Sequence, residues 1–234
     1  MAYRRSMLNR LTRFWIAARR EAGLSALLAI QVVIIFVLAP FAATGAVSPA
    51  VVELARVVLG AVAVLTVNRS RPFMVITVVT LAATILLPFG FHSGVALSLV
   101  RIAFTVAFDL VVAVAVARVA FAAGRVTVHR IMGGVILYLS VGLVFAEIYR
   151  VAALTLNPSF TGLPERGRSA LSQLLYFSFS TLTTTGFGDI APLHPFVRSL
   201  SNLEAVIGQL YPATLLARLV TLHSTKTEVG RAED

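Results

Sequence analysis

Between residues 181 and 192 the chain reads TLTTTGFGDIAP, a run whose residue types could hold a bare cation. An extended backbone that turns successive carbonyls to one side has to alternate its conformation. Gly186 and Gly188 reach positive φ without the steric cost an L side chain carries. The interleaved side chains, Thr185 and Phe187, then point away from the carbonyls, with Phe187 packing among Tyr176, Phe177 and Phe179. Thr184, at the start, can add its hydroxyl oxygen to the row. Hard oxygens without fixed negative charge suit a monovalent cation such as K+, whereas a divalent cation calls for carboxylates. Asp189 follows directly, placed to hold the strand end or to attract cations. The glycines around Phe187 are no dinucleotide fingerprint, because no third glycine opens a helix two residues on.

The elements that must position this run are set by the solvent. In 234 residues, 58% are hydrophobic and 13% charged, with a mean hydropathy of +0.90. That is more apolar surface than one soluble core can bury, so the solvent is mostly lipid. The absence of cysteine excludes disulfides, thiolate metal sites and cysteine nucleophiles. A hydrocarbon core of about 30 Å needs about 20 mostly apolar residues in a helix. Runs of that kind fall at 24–41, 50–67, 73–89, 95–120, 131–156 and 196–222, which makes six expected spans. The connections between them are rich in Gly, Pro, Asn and Ser. Residues 169–183 are apolar and aromatic but shorter than a span, so they read as a re-entrant helix whose carbonyl end points into the membrane. Extended chain after it is tolerable at membrane depth only along a wet path or buried in protein.

The net charge of +10 is no nucleic-acid signal, because arginine placement follows the membrane. Arg4, Arg5, Arg10, Arg13, Arg19 and Arg20 precede the first run, Arg69 and Arg71 follow the second, Arg118, Arg125 and Arg130 the fourth, and Arg218 and Lys226 the last. All fall on one side, which places both termini in the cytoplasm and TTTGFGD outside. Residues 1–22 read as a basic amphipathic helix on the inner leaflet or as a disordered basic tail. Inside the apolar runs stand Glu53, Arg56, Arg101 and Asp109. Isolated charges in lipid are costly, so depth pairs Glu53 with Arg101, and Asp109 has no evident partner. Phe104, Ala107 and Leu110 stand where an arginine series would continue from Arg101, so the fourth run has no voltage-sensor repeat. In the last run Gly208 and Pro212 each weaken the helix locally, marking a hinge or merely close packing. Glu204 above them is expected to be buried against the re-entrant helix. His92, His129, His194 and His223 are scattered with no metal-site spacing, and nothing supports an enzyme.

The motif, the re-entrant helix before it and the full span after it resemble the potassium channels, whose filter reads T-V-G-Y-G-D or T-x-G-F-G-D. The resemblance covers about residues 131–222, and the first four runs match the six-span layout of the voltage-gated-like superfamily in number and orientation alone. It implies an all-α membrane protein with six transmembrane helices, a re-entrant pore helix and an extended selectivity filter. The expected layout is a segment 1–22, a four-helix domain 23–125, a pore domain 126–222 and a cytoplasmic tail 223–234. Within the pore domain lie an outer helix, the pore helix 169–183, the filter 184–188 and the inner helix 196–222, with Gly208 at the family's hinge position. K+ would be held by Thr184, Thr185, Gly186 and Phe187. One strand supplies only a fraction of a coordination shell, hence a homotetramer. The implied partners are K+, lipid and sister chains in a cell membrane, with neither nucleic acid nor a cofactor. Thr185 in place of the usual valine and Phe187 in place of the commoner tyrosine depart from the pattern, and the second removes an outward hydrogen bond from a hydroxyl. A poorly selective monovalent cation channel and a non-conducting regulatory or structural membrane subunit are the alternatives.

Overall fold

Prolines and hydroxyls show why these sequences settle as helices in an apolar solvent. The computed structural model describes residues 23–66, 71–90, 94–121, 128–163 and 169–231, so the basic segment 1–22 lies outside the described residues. Among those residues the helices are α1 (Gly23–Ala43), α2 (Pro49–Thr66), α3 (Arg71–Gly90), α4 (Val95–Ala120), α5 (Val128–Thr155), α6 (Ser169–Leu182) and α7 (Pro195–Arg231). Pro49 and Pro195 open α2 and α7, where a missing N–H leaves no ladder bond unmade. The threonines of α3 turn their hydroxyls back onto the preceding turn: Thr77 to Phe73 O at 2.9 Å, Thr80 to Ile76 O and Thr84 to Thr80 O, both at 2.8 Å. Each hydroxyl is satisfied inside its own helix, so α3 can expose Met74, Val75, Ile76, Val78 and Val79 as a lipid-compatible surface.

Length separates the helices. Gly23–Ala43, Val95–Ala120 and Arg130–Thr155 are long and apolar enough to cross a membrane. The apolar stretches of α2 and α3, Leu54–Leu65 and Phe73–Leu87, are shorter. The helices themselves are 18 and 20 residues long, about 27 and 30 Å at 1.5 Å per residue, and the side chains that bound these two stretches lie outside the described residues. The expected span 196–222 runs past Ala217, beyond which the side chains of α7 are outside the described residues. By length and composition three of the six expected spans are met among the described residues.

Two cores share α5. One joins Leu24, Leu27 and Ile34 of α1, Leu59 and Ala63 of α2, Phe108, Val112 and Val116 of α4, and Ile136 of α5. The other joins Phe145 and Tyr149 of α5, Leu174 and Phe177 of α6, Ile190 and Val197. Gln31 of α1 donates to Ser140 of α5 at 3.1 Å across the first. In the second, Tyr149 and Phe177 sit edge-on at 5.0 Å and both meet Phe160. Phe160 belongs to a short ribbon of β1 (Phe160–Thr161) and β2 (Ala191–Pro192), antiparallel with Phe160 opposite Pro192 and Thr161 opposite Ala191.

The re-entrant helix is fixed by Glu204 of α7, which is fully buried. Its carboxyl oxygens accept from Tyr149 Oη of α5 at 2.6 Å and from Ser178 Oγ of α6 at 2.5 Å, while Ser178 Oγ also lies 2.8 Å from Gly142 O of α5. Three helices are joined at one carboxyl group. Replacing it by an apolar side chain would take the acceptor from the buried Tyr149 hydroxyl, at a cost of about 1–3 kcal/mol, and leave Ser178 with Gly142 O alone. Glu204→Leu is therefore expected to lower the melting midpoint of the detergent-solubilised protein by about 2–10 °C. Glu204→Gln should come close to wild type, since its amide oxygen can accept from Tyr149 and its amide N–H can donate to Ser178. Equal losses in both variants would show that the junction does not hold α6.

Candidate ion-conduction site

The chain leaves α6 at Leu182 and immediately breaks helical geometry. Thr184, Gly186 and Gly188 have φ of +57°, +61° and +82°, so every second residue lies in the left-handed region. Glycine accepts that conformation freely, whereas Thr184 adopts it against its side chain. The α6 carbonyls take up the backbone N–H groups of this stretch: Thr184 N–H donates to Thr181 O at 2.9 Å, and Thr185 and Gly186 N–H both donate to Ser180 O, at 2.8 and 3.2 Å. Among the described residues none of the carbonyls from Thr184 to Gly188 accepts a backbone hydrogen bond. The amides are spent on the helix, and the oxygens remain as the available ligands. A Cβ added at Gly186 or Gly188 would meet nothing within 4 Å, so this face of a single chain is open.

Both ends are held. At the end nearest α7's middle, Tyr138 Oη of α5 donates to Leu182 O at 3.1 Å, and Gly208 of α7 lies so close that a Cβ there would come within 1.8 Å of the same oxygen. Gln209 Nε2, one residue on, donates to Thr184 Oγ1 at 3.3 Å. At the opposite end Tyr176 Oη donates to Asp189 Oδ1 at 3.1 Å. Gly162, at φ +78°, packs against Asp189 O so tightly that a Cβ would lie 1.9 Å away. Arg198 Nε then ties α7 to Pro192 O at 3.0 Å.

The aromatic packing expected around Phe187 divides instead. Phe187 stacks on Tyr176 alone, centroids 5.6 Å apart at 16°, and keeps 67% of its surface exposed. Phe177 turns to the opposite side of α6, into the core with Tyr149, and Phe179 meets Phe36 of α1 at 5.8 Å. A helical period of 3.6 puts 176 and 179 on one face of α6, where Tyr176, Phe179 and Phe187 line one cavity, and turns 177 away from it. The Tyr176 hydroxyl also supplies a hydrogen bond at the corner where Phe187 has none.

Gly208 and Pro212 both lie inside α7, which stays continuous from Pro195 to Arg231. Pro212 has no N–H for the carbonyl four residues earlier, and that carbonyl belongs to Gly208, so the two residues share one missing ladder bond. Tyr211 Oη donates to Gly134 O of α5 at 2.8 Å, beside the gap.

Among the intramembrane charges, Asp109 has a partner that the sequence did not suggest. Arg56 Nη2 faces Asp109 Oδ2 at 4.0 Å, which supplies the missing partner of Asp109. The expected pairing of Glu53 with Arg101 lies outside the described residues, because the Glu53 side chain is among those not described. Arg56 and Arg101 line a cavity of about 400 Å³ between the first helices and α6, together with Thr105, Glu147 and Arg150. Glu147 is buried and accepts from Arg150 Nη1 at 3.4 Å. Sequence reasoning passed over this pair, although two opposite charges three residues apart within the fifth apolar run are a readable signal.

Comparison with known proteins meets the same part of the chain. Protein LctB of Bacillus caldotenax is 33% identical over 87 residues, which is 36% of this chain and 64% of that protein, so the chain spans less than two thirds of its relative's length. Residues 134–224, which carry most of α5, all of α6, the open carbonyl stretch and most of α7, match the family described as ion channel.

Proposed function

We propose that the chain is a subunit of a potassium-selective channel that conducts K+ passively through a homotetrameric, carbonyl-lined filter, and that it is not strongly voltage-gated. The apolar helices and the ion channel match support a multi-pass membrane protein. The observation that carries the finer reading is the stretch Thr184–Gly188. Its φ alternates, the amides of Thr184, Thr185 and Gly186 are bonded to α6, and its carbonyls stay open on a face that a single chain leaves bare. Four such strands around an axis would stack rings of oxygens in which an ion exchanges water for carbonyls, and neighbouring ions would repel one another onward. Asp189 sits at the mouth, while Gly208 and Pro212 are the positions at which α7 would yield. Both termini lie in the cytoplasm on this reading, following the arginine asymmetry.

In liposomes containing only this protein, reversal potentials should follow the K+ gradient and ignore Na+. Gly186→Ala should abolish the current, because alanine disfavours the φ of +61° found there. Currents indifferent to replacing K+ by Na+ would favour a poorly selective cation pore, and a well-assembled protein without current a non-conducting subunit. Native mass measurement should give a four-chain particle; an intact monomer or dimer contradicts the shared filter.

Opening should depend weakly on voltage. One Arg101 crossing the whole field in each of four subunits would contribute about 4 × 2.3, roughly 9 kcal/mol per 100 mV, against tens for an arginine series. Arg56 cannot add much while it faces Asp109. Open probability over a voltage ramp in symmetric K+ should be shallow in wild type, and Arg101→Gln should reduce expression more than it changes the slope. A steep wild-type curve that flattens in the variant would overturn this.

A further inference from the structure

Three consecutive threonine hydroxyls stand where α6 ends, and they are not equivalent. Thr183 Oγ1 bonds to Phe179 O at 2.7 Å and lies 2.8 Å from Thr185 Oγ1. That pair is thereby turned toward the back of the strand, where both line the cavity against α1 together with Phe187. Thr184 is turned the other way. Its positive φ, unique among the non-glycine residues described, sends its side chain toward α7, where Gln209 Nε2 donates to the hydroxyl. The reach is fixed by the neighbouring Gly208, whose contact with Leu182 O sets α7 against the end of α6 and leaves Gln209 no choice of depth.

We propose that Gln209 is a positioning residue for the innermost ion ligand: its amide donor fixes the Thr184 hydroxyl and occupies one of the two lone pairs that oxygen could offer a cation. This rests on the reading of Thr184–Gly188 as a conducting filter. A hydroxyl has one proton and two acceptor sites. With one site taken by an N–H, the remaining one can face the ion, and the positive end of the amide dipole stands beside it. The ring of four Thr184 oxygens is thereby held in one rotamer and made a weaker cation ligand than free hydroxyls would be. A weak innermost ring favours release, because conduction needs binding firm enough to enter and loose enough to leave. Gln209 thus bears on how tightly the last site holds an ion, without lining the carbonyl stack.

The test uses Ba2+, a divalent ion of K+ size, added on the side of the C-terminal half of α7 to the full-length channel in planar bilayers carrying K+ current. Gln209→Leu removes the donor and frees the second lone pair, so Ba2+ block should tighten about tenfold, while the K+ reversal potential and the oligomer mass stay as in wild type. If Gln209→Leu fails to assemble, Gln209→Met, unbranched and of equal length, takes its place with the same expectation. Block within twofold of wild type in a variant that still conducts K+ would overturn the assignment, as would weaker block. A wild-type protein that passes no K+ would instead sink the channel reading itself, a failure distinguishable from that of Gln209 alone.

Discussion

The buried carboxyl of Glu204 is the constraint on which the arrangement around the open carbonyl stretch depends. At 14 residues α6 is too short to cross a membrane and has neighbours on only part of its circumference. It has to be hung from the full-length helices beside it. Apolar contacts alone discriminate little between depths in lipid, because lipid tails are as apolar as leucine. A hydrogen bond does discriminate. By accepting from Ser178 and Tyr149, Glu204 sets α6 in register with α5 and α7 at once, and Ser178's contact with Gly142 O adds a second grip on α5. Every position downstream inherits that depth, including the point at which Thr184 turns.

From this junction the strand is held at two ends with different chemistry. The outer end is clamped rigidly: Gly162 against Asp189 O, Tyr176 on Asp189 and Arg198 on Pro192 O leave no slack. The inner end is held by Gly208 packed against Leu182 O, by Tyr138 on the same oxygen and by Gln209 on Thr184 Oγ1. Between the ends, the amides of Thr184, Thr185 and Gly186 are bonded back to α6, which keeps the carbonyls from turning inward.

What could be read from sequence follows the distance over which each cause acts. Gly186 and Gly188 declare positive φ locally, and the run at 169–183 shows its short length, so the turn and the helix before it were legible. Thr184's positive φ was not, because nothing in a threonine announces it; the conformation is imposed by the bonds of α6 and α7. Pairings between helices were the hardest. Depth along a helix follows from counting residues, but rotation about its axis does not, so counting left Asp109 without a partner, while the structure turns Arg56 toward it. The same ignorance of rotation grouped Phe177 with Phe187, though Phe177 turns into the core with Tyr149, while Phe179 does line one cavity with Tyr176 and Phe187. Of the six expected spans, three are met by length and composition among the described residues, and α2 and α3 cover the runs expected at 50–67 and 73–89 nearly end to end.

Gly208 and Pro212 acquire different roles once the contacts around them are placed together. Gly208 touches Leu182 O, so its backbone is pinned to the end of α6 and cannot swing without detaching the filter from α7. The weakness that Pro212 introduces is the bond missing between its nitrogen and the Gly208 carbonyl, and that gap opens toward the C-terminal half of α7. Tyr211 bridges to Gly134 O beside the gap, and a Cβ at Gly134 would come 3.0 Å from Leu215, so the lower part of α7 rests closely on α5. Tyr211 also packs on Tyr138, 5.8 Å between ring centroids, and Tyr138 holds Leu182 O, so the described residues of α7 on both sides of 208–212 bear on the end of α6.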